Sequence, residues 1–274
     1  MDNPTDQKPP ESHWHNRAAW DRLARMQDRL AKPARDEDFI NPLASVDGMG
    51  WLGGDVRGKR LLCLAAGGGR QGPIYAAAGA EVTVVDLSPA MLELDREVSK
   101  ERKLKIRTIE ASMDDLSAIA DASFDIVIHP VSTCYVADVR PVYLEVARVT
   151  AVGGTYISQH KQPGSLQAGV EPEQGSYRIK FGYYDKSPLP PEPKPNLIRE
   201  EGTLEYVHRW EELLGEMCRA GFMIEALSEP MHAKQDAVVG SFGHRGSMIA
   251  PYVRIKARKM AGKQGKQPAS LLLT

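Results

Sequence analysis

The chain has 274 residues, 42% apolar and 26% charged, with a formal net charge of −1 at pH 7. This length allows one large domain or a core domain with an elaborate insertion. The near-neutral charge offers no basic patch to argue for a nucleic-acid partner, and no apolar run approaches the ~18–20 residues of a membrane span. Cys63, Cys134 and Cys218 form no CxxC pair, and each reads as a small buried residue suited to a reducing cytoplasm.

Taken in chain order, residues 1–12 read as a disordered, polar, proline-bearing tail and not as a signal peptide. Residues 13–58 read as an N-terminal helical extension. Its helix runs from Trp14 to Ala31 on the spacing of Trp20, Leu23, Met26, Gln27 and Leu30, and a connector broken by proline and glycine follows, with at most a short helix. The His13–Arg17 segment reads either as a solvated helix face or as a lid over a ligand.

Residues 59–161 alternate strand and helix. Strands are expected at 60–65, 81–86, 105–110, 124–129 and 155–158. The first helix carries Pro73 in its opening turn and closes on Gly79. The second is capped by Ser88 with Pro89 at its first position, and Ser112 caps a short third one. A helix from Arg140 to Thr150 is expected to close on Gly153 and Gly154.

Residues 162–205 are too broken for the sheet and too apolar for a linker. They read as a substrate-side insertion carrying Tyr177, Phe181, Tyr183 and Tyr184, with a stiff proline-rich end at 188–195. Residues 206–260 return to the core with a helix at 210–220 and strands at 222–227 and 252–257, and 261–274 form a loose tail. The fold class is α/β: a doubly wound, Rossmann-like, mostly parallel seven-stranded sheet with an antiparallel last strand.

The chemistry-bearing feature is the turn after the first strand, Ala65-Ala66-Gly67-Gly68-Gly69, followed by a second strand ending in Asp86. Glycines let backbone lie against a ligand, and a carboxylate can accept hydrogen bonds from both hydroxyls of a ribose. Gly67, Gly69 and Gly72 also satisfy G-x-G-x-x-G literally, which keeps a nicotinamide-dependent oxidoreductase open as an alternative. A non-catalytic nucleoside-binding protein on the same fold is the other.

Three further features point away from nicotinamide: the Phe124-Asp125-Ile126-Val127 strand preceded by the acid-rich loop Ser112-Met113-Asp114-Asp115, Arg148-Val149 leading to Gly153-Gly154, and a C-terminal Gly221-Phe222, strand, loop and final strand that suit an antiparallel closing pair. With them the chain resembles the class I S-adenosylmethionine-dependent methyltransferases, of the small-molecule, type 11-like group that includes ubiquinone-type enzymes. The likeness is close over 58–160 and looser over 203–258. It implies S-adenosylmethionine as cofactor, lying on Ala65, Ala66, Gly67, Gly68 and Gly69. It further implies Asp86 on the ribose, Leu87 on an adenine face, Ser112 and Met113 at the adenine edge, and His129 facing the cleft. Where the family has an acid, this chain has Cys63, and where it has a glycine, Ala65; either another acid compensates or the cofactor binds less tightly. No metal is implied. Methyl transfer needs a base only if the acceptor must lose a proton, so His129, His160 and Tyr135 are candidates for a catalytic role, each histidine also reading as a hydrogen-bonded structural residue. The expected partner is a small-molecule methyl acceptor, partly aromatic on the strength of the 177–184 segment, with no nucleic acid or membrane.

Overall fold

Runs that are apolar at every position form strands buried on both faces. In the computed structural model, which describes residues 10–192, 196 and 198–262, these runs make the centre of a seven-stranded sheet. Its strands are β1 (Arg60–Leu64), β2 (Glu81–Asp86), β3 (Ile106–Glu110), β4 (Phe124–His129), β5 (Thr150–Lys161), β6 (Phe222–Ser228) and β7 (Tyr252–Lys259). The order is β3-β2-β1-β4-β5-β7-β6, with β7 antiparallel to both of its neighbours and the other paired strands parallel.

The alternation of β1 divides the core in two. Leu61 and Cys63 pack with Tyr75, Val82, Val84 and Leu92 on one face. Leu62 and Leu64 pack with Val127, Val142, Tyr143, Val146 and Tyr156 on the other. The covering helices are α1 (Glu11–Arg25), α2 (Pro42–Val46), α3 (Gln71–Ala77), α4 (Pro89–Glu101), α5 (Arg140–Val149), α6 (Pro163–Gln167), α7 (Glu216–Arg219) and α8 (Phe242–Met248). Local chemistry fixes their ends. Ser88 Oγ accepts the amide of Met91 at the start of α4, and Gly79, at φ +94°, follows the end of α3. Among the described residues no helix is long and apolar enough to cross a membrane.

Several boundaries differ from the sequence reading. The first helix starts at Glu11, within the stretch expected to be a tail; residues 1–9 lie outside the described residues. It stops at Arg25 because Gln27 turns to φ +52°. Its buried stripe is Ser12, Asn16, Ala19 and Leu23, while Met26 is 70% exposed. No helix follows Ser112, whose hydroxyl is held by Asp114 in a turn. α5 runs directly into β5, so Gly153 and Gly154 do not cap it. They lie where the pairing jumps from Phe124–Thr150 to Ile126–Thr155, a bulge that Gly153 accommodates at φ +79°. The loop before the last strand contains α8, anchored by the buried Arg245, which donates to Ser165 Oγ at 2.8 Å and the Ser165 carbonyl at 2.6 Å. Pro193–Pro195 and residues 263–274, parts of the expected proline-rich end and tail, lie outside the described residues. Cys63 and Cys134 are buried as expected, whereas Cys218 is exposed.

Helix α3 passes close to the sheet at Gly72: a Cβ there would lie 2.5 Å from Val84 Cγ2 and 3.0 Å from Asp95 Oδ1. Glycine to alanine inside an exposed helix gains about 1 kcal/mol. Here the sign reverses, and Gly72→Ala costs about 1–3 kcal/mol through overpacking. Urea unfolding checks this, and a variant as stable as the wild type contradicts it.

Candidate functional site

A cavity of about 370 Å³ opens at the carboxyl ends of β1, β2 and β4 and passes beneath α1, where ligands of such sheets bind. Its wall on the β1–β2 side is the glycine turn. Gly67 donates its amide to Asp86 Oδ2 at 2.9 Å, and Gly68 donates to Asp95 Oδ2 at 2.9 Å. A Cβ on Gly67 would fall 2.8 Å from Met91 Cβ, and Gly69 stands at φ +71° with the Leu94 carbonyl 2.7 Å from where its Cβ would be. The turn is therefore packed against α4 on one side and open to the cavity on the other. Ala65 begins it at φ +47°, a left-handed conformation that costs a side-chain-bearing residue roughly 1–2 kcal/mol.

Asp86 ends β2 at the cavity wall, its Oδ1 accepting the Ser88 amide at 2.9 Å. Burial pushes its carboxyl up to about 6, against the pull of the amides of Ser88, Gly67 and Leu87. Each carboxylate oxygen keeps a lone pair beyond its amide bond. Ala65, Ala66, Gly67, Gly68, Leu87, Ser112 and Met113 all line the same cavity, so the structure brings nearly every cofactor candidate together; Gly69 sits just behind the wall.

His129 does not join them. It is 1% exposed, with one ring nitrogen 2.8 Å from Tyr156 Oη and the other 2.6 Å from Ser132 Oγ. Burial drives it down to about 3, so it is neutral and structural, and it does not face the cleft. His160 is likewise enclosed, between Thr133 Oγ1 and Ser158 Oγ, and is pushed down to about 3 first by burial. His208 is bound to the Thr133 carbonyl and His244 to Tyr177. Of the three catalytic candidates only Tyr135 reaches the cavity.

The aromatic segment of the insertion is also corrected. Tyr183 accepts the Trp210 amide, Tyr177 pairs with His244, and Tyr184 is 76% exposed; none lines the cavity. The aromatic walls are instead Trp20, Tyr135 and Tyr252, with Trp20 and Tyr135 edge to face at 5.8 Å.

α1 acts as a cover, as the lid reading of His13–Arg17 allowed. Ser12, His13, Asn16 and Trp20 line the cavity. Asn16 donates to the carbonyls of Tyr135 at 3.0 Å and Leu204 at 3.1 Å and accepts the Leu204 amide at 2.7 Å. Asp21 accepts from Ser88 Oγ at 2.6 Å, tying the helix to α4.

Sequence reasoning missed Asp95 and Glu200. Asp95 had a readable signal: an acid within the buried stripe Leu92, Asp95, Val98 and Ser99 of α4. It is fully buried beneath the glycine turn beside Cys63, whose thiol is raised first by burial and then by this carboxylate. Its Oδ1 has no hydrogen-bond partner among the described residues. Glu200 has no local signal, because a lysine 39 positions away in sequence holds it.

Comparison with known proteins gives a consistent picture. A family model described as "Methyltransferase domain" matches residues 62–158. The uncharacterized methyltransferase YbaJ of Bacillus subtilis is 34% identical over 229 residues, 78% of this chain and 89% of that protein. An S-adenosylmethionine-dependent methyltransferase from Mesorhizobium loti superposes with a TM-score of 0.56 at 22% identity, over 74% of this chain and 92% of that one. Geranyl diphosphate C-methyltransferase from Streptomyces coelicolor, solved with Mg2+, geranyl diphosphate and S-adenosyl-L-homocysteine, does so at 0.58 and 16% identity, over 94% and 100%.

Burial raises the Asp95 carboxyl from 3.8 to about 7, more than the amides of Gly69 and Gly68 pull it down. A group raised in the folded state contributes stability that is complete below its unfolded value and is lost as pH climbs to the folded one. Asn cannot ionise, so the Tm difference between Asp95→Asn and wild type moves in the variant's favour from about pH 4.5 to about pH 7.5. A difference that is flat or moves the other way removes Asp95 from this account.

Proposed function

The chain belongs to the S-adenosylmethionine-dependent methyltransferases, and from that we propose that it methylates a small molecule held between α1 and the ends of β5 and β7. The observation that carries this reading is a single cavity with two differently furnished halves. The β1–β2 side presents the glycine turn, Asp86, Leu87, Ser112 and Met113. The β5–β7 side presents Tyr135, Gln159, Glu200 and Tyr252.

S-adenosylmethionine, when bound, supplies an electrophilic methyl group on a sulfonium that departs as a neutral thioether. The residues of the first half fit it. The bare backbone of Gly67 and Gly68 leaves the turn smooth where a side chain would collide with Met91. The spare lone pairs of Asp86 suit two vicinal hydroxyls. Leu87 and Met113 offer apolar faces, with Ser112 and the Met113 amide beside them for a base edge. Asp95, taking the Gly68 amide from beneath, holds the turn in shape from behind the cavity wall.

The protein's remaining task is alignment, which supplies ~7–11 kcal/mol in favourable cases. α1 serves that task by closing the cavity with Trp20 and Asn16. Enclosure under a helix favours a compact acceptor over a polymer. Three unpaired thiols support a reducing, cytoplasmic setting.

Calorimetry tests the reading. S-adenosylmethionine and S-adenosylhomocysteine bind the wild type, NADH does not, and Asp86→Ala weakens binding at least about tenfold, the equivalent of ~1.4 kcal/mol for lost charge-assisted bonds. A folded sample with no affinity for either sulfur nucleoside sinks it.

A further inference from the structure

We propose that Glu200 is the general base of this methyl transfer and that the acceptor is an uncharged ring compound methylated on a hydroxyl oxygen. The inference rests on the methyl-transfer reading above and goes beyond it by naming the acceptor's chemistry.

Glu200 belongs to a buried charge cluster at the far end of β5. Lys161 pairs with Glu200 and, at 3.1 Å, with Glu205. Glu205, with a side chain 0% exposed, also accepts the Glu200 amide at 3.1 Å and faces Arg199 at 3.4 Å, and Arg199 reaches Glu192 at 3.2 Å. Both carboxyls converge on the Lys161 ammonium, which places them side by side. Tyr135, on the loop after β4, and Tyr252 line the cavity together with Glu200, and the Tyr135 ring lies 6.0 Å from the Lys161 ammonium.

A clamp joining the insertion to β5 explains Lys161, Arg199 and Glu205, none of which lines the cavity. It does not explain why Glu200 lines the cavity, beside the aromatic walls of Trp20, Tyr135 and Tyr252. Burial raises both carboxyls, and Lys161 draws Glu200 back below the ordinary range, leaving Glu205 as the one held above it. Glu200 is therefore an ionised acceptor, held in that state by its ion pair with Lys161.

Lys161 and Arg199 offset the carboxylates of Glu200 and Glu192, while burial pushes Glu205 up to about 7, so the cluster is close to balanced and a neutral acceptor keeps it so. In the transfer, the acceptor oxygen bonds the methyl carbon while the carbon–sulfur bond breaks and its electron pair stays on sulfur. The hydroxyl proton passes to Glu200. The products are a methyl ether, S-adenosylhomocysteine and one proton, released later to solvent.

The test uses the full chain loaded with S-adenosylhomocysteine and titrated with catechol or with 1,2-dimethoxybenzene, the same ring without a hydroxyl proton. Catechol binds at least about tenfold more tightly, and Glu200→Gln brings the two within about twofold while S-adenosylhomocysteine affinity is unchanged. With S-adenosylmethionine, bound catechol gives 2-methoxyphenol, and Glu200→Gln slows this at least about a hundredfold. Equal affinity of the two rings in the wild type, binding of neither, or undiminished discrimination or turnover in the variant overturns the proposal. A chain that fails to bind S-adenosylhomocysteine at all takes down the methyl-transfer reading with it, and so is told apart from these.

Discussion

Two carboxylates hold one turn. Asp86 from β2 and Asp95 from α4 take the amides of Gly67 and Gly68 from different sides, and the position of nearly everything else at the site follows. The turn lies between strand and helix with no room for a β-carbon at Gly67 or Gly69, so backbone itself forms the cavity wall. Placing two acids against successive amides keeps the donors satisfied without water. It also leaves both acids raised by burial, and so responsive to whatever ligand enters.

The cover is attached as specifically as the floor. Asn16 makes three hydrogen bonds to backbone on the loop after β4 and the end of the insertion, and Asp21 reaches the start of α4. Thus α1 touches both halves of the cavity at once. A sequence pattern of amphipathic residues would suit any surface helix. What marks this one is a polar residue, Asn16, in the centre of its buried stripe.

The sheet was legible because its signals are local. The apolar runs at Leu61–Leu64 and Val82–Val85, the Ser88–Pro89 cap and the Gly79 stop each act within a few residues, and all appear where the pattern places them. The glycine turn and Asp86 were legible for the same reason. The histidines were not, since a histidine at a strand end has the same appearance whether it faces a cleft or, like His129, is spent on Tyr156 and Ser132. The insertion was read by composition, which found its aromatics but not their direction. The residue it delivers to the cavity is Glu200, placed by a pairing with Lys161 that no local pattern encodes.

One topological detail governs how the molecule comes into being. Among the described residues β7 is the last strand made, yet it lies inside the sheet, between β5 and β6. Until Tyr252–Lys259 leaves the ribosome, β5 presents an unpaired edge and β6 has no neighbour. The glycine turn and its two acids are complete long before then, while Tyr252 arrives with the final strand to close the opposite wall. The half of the cavity walled by the glycine turn can thus take shape during synthesis ahead of the opposite half, which waits for β7.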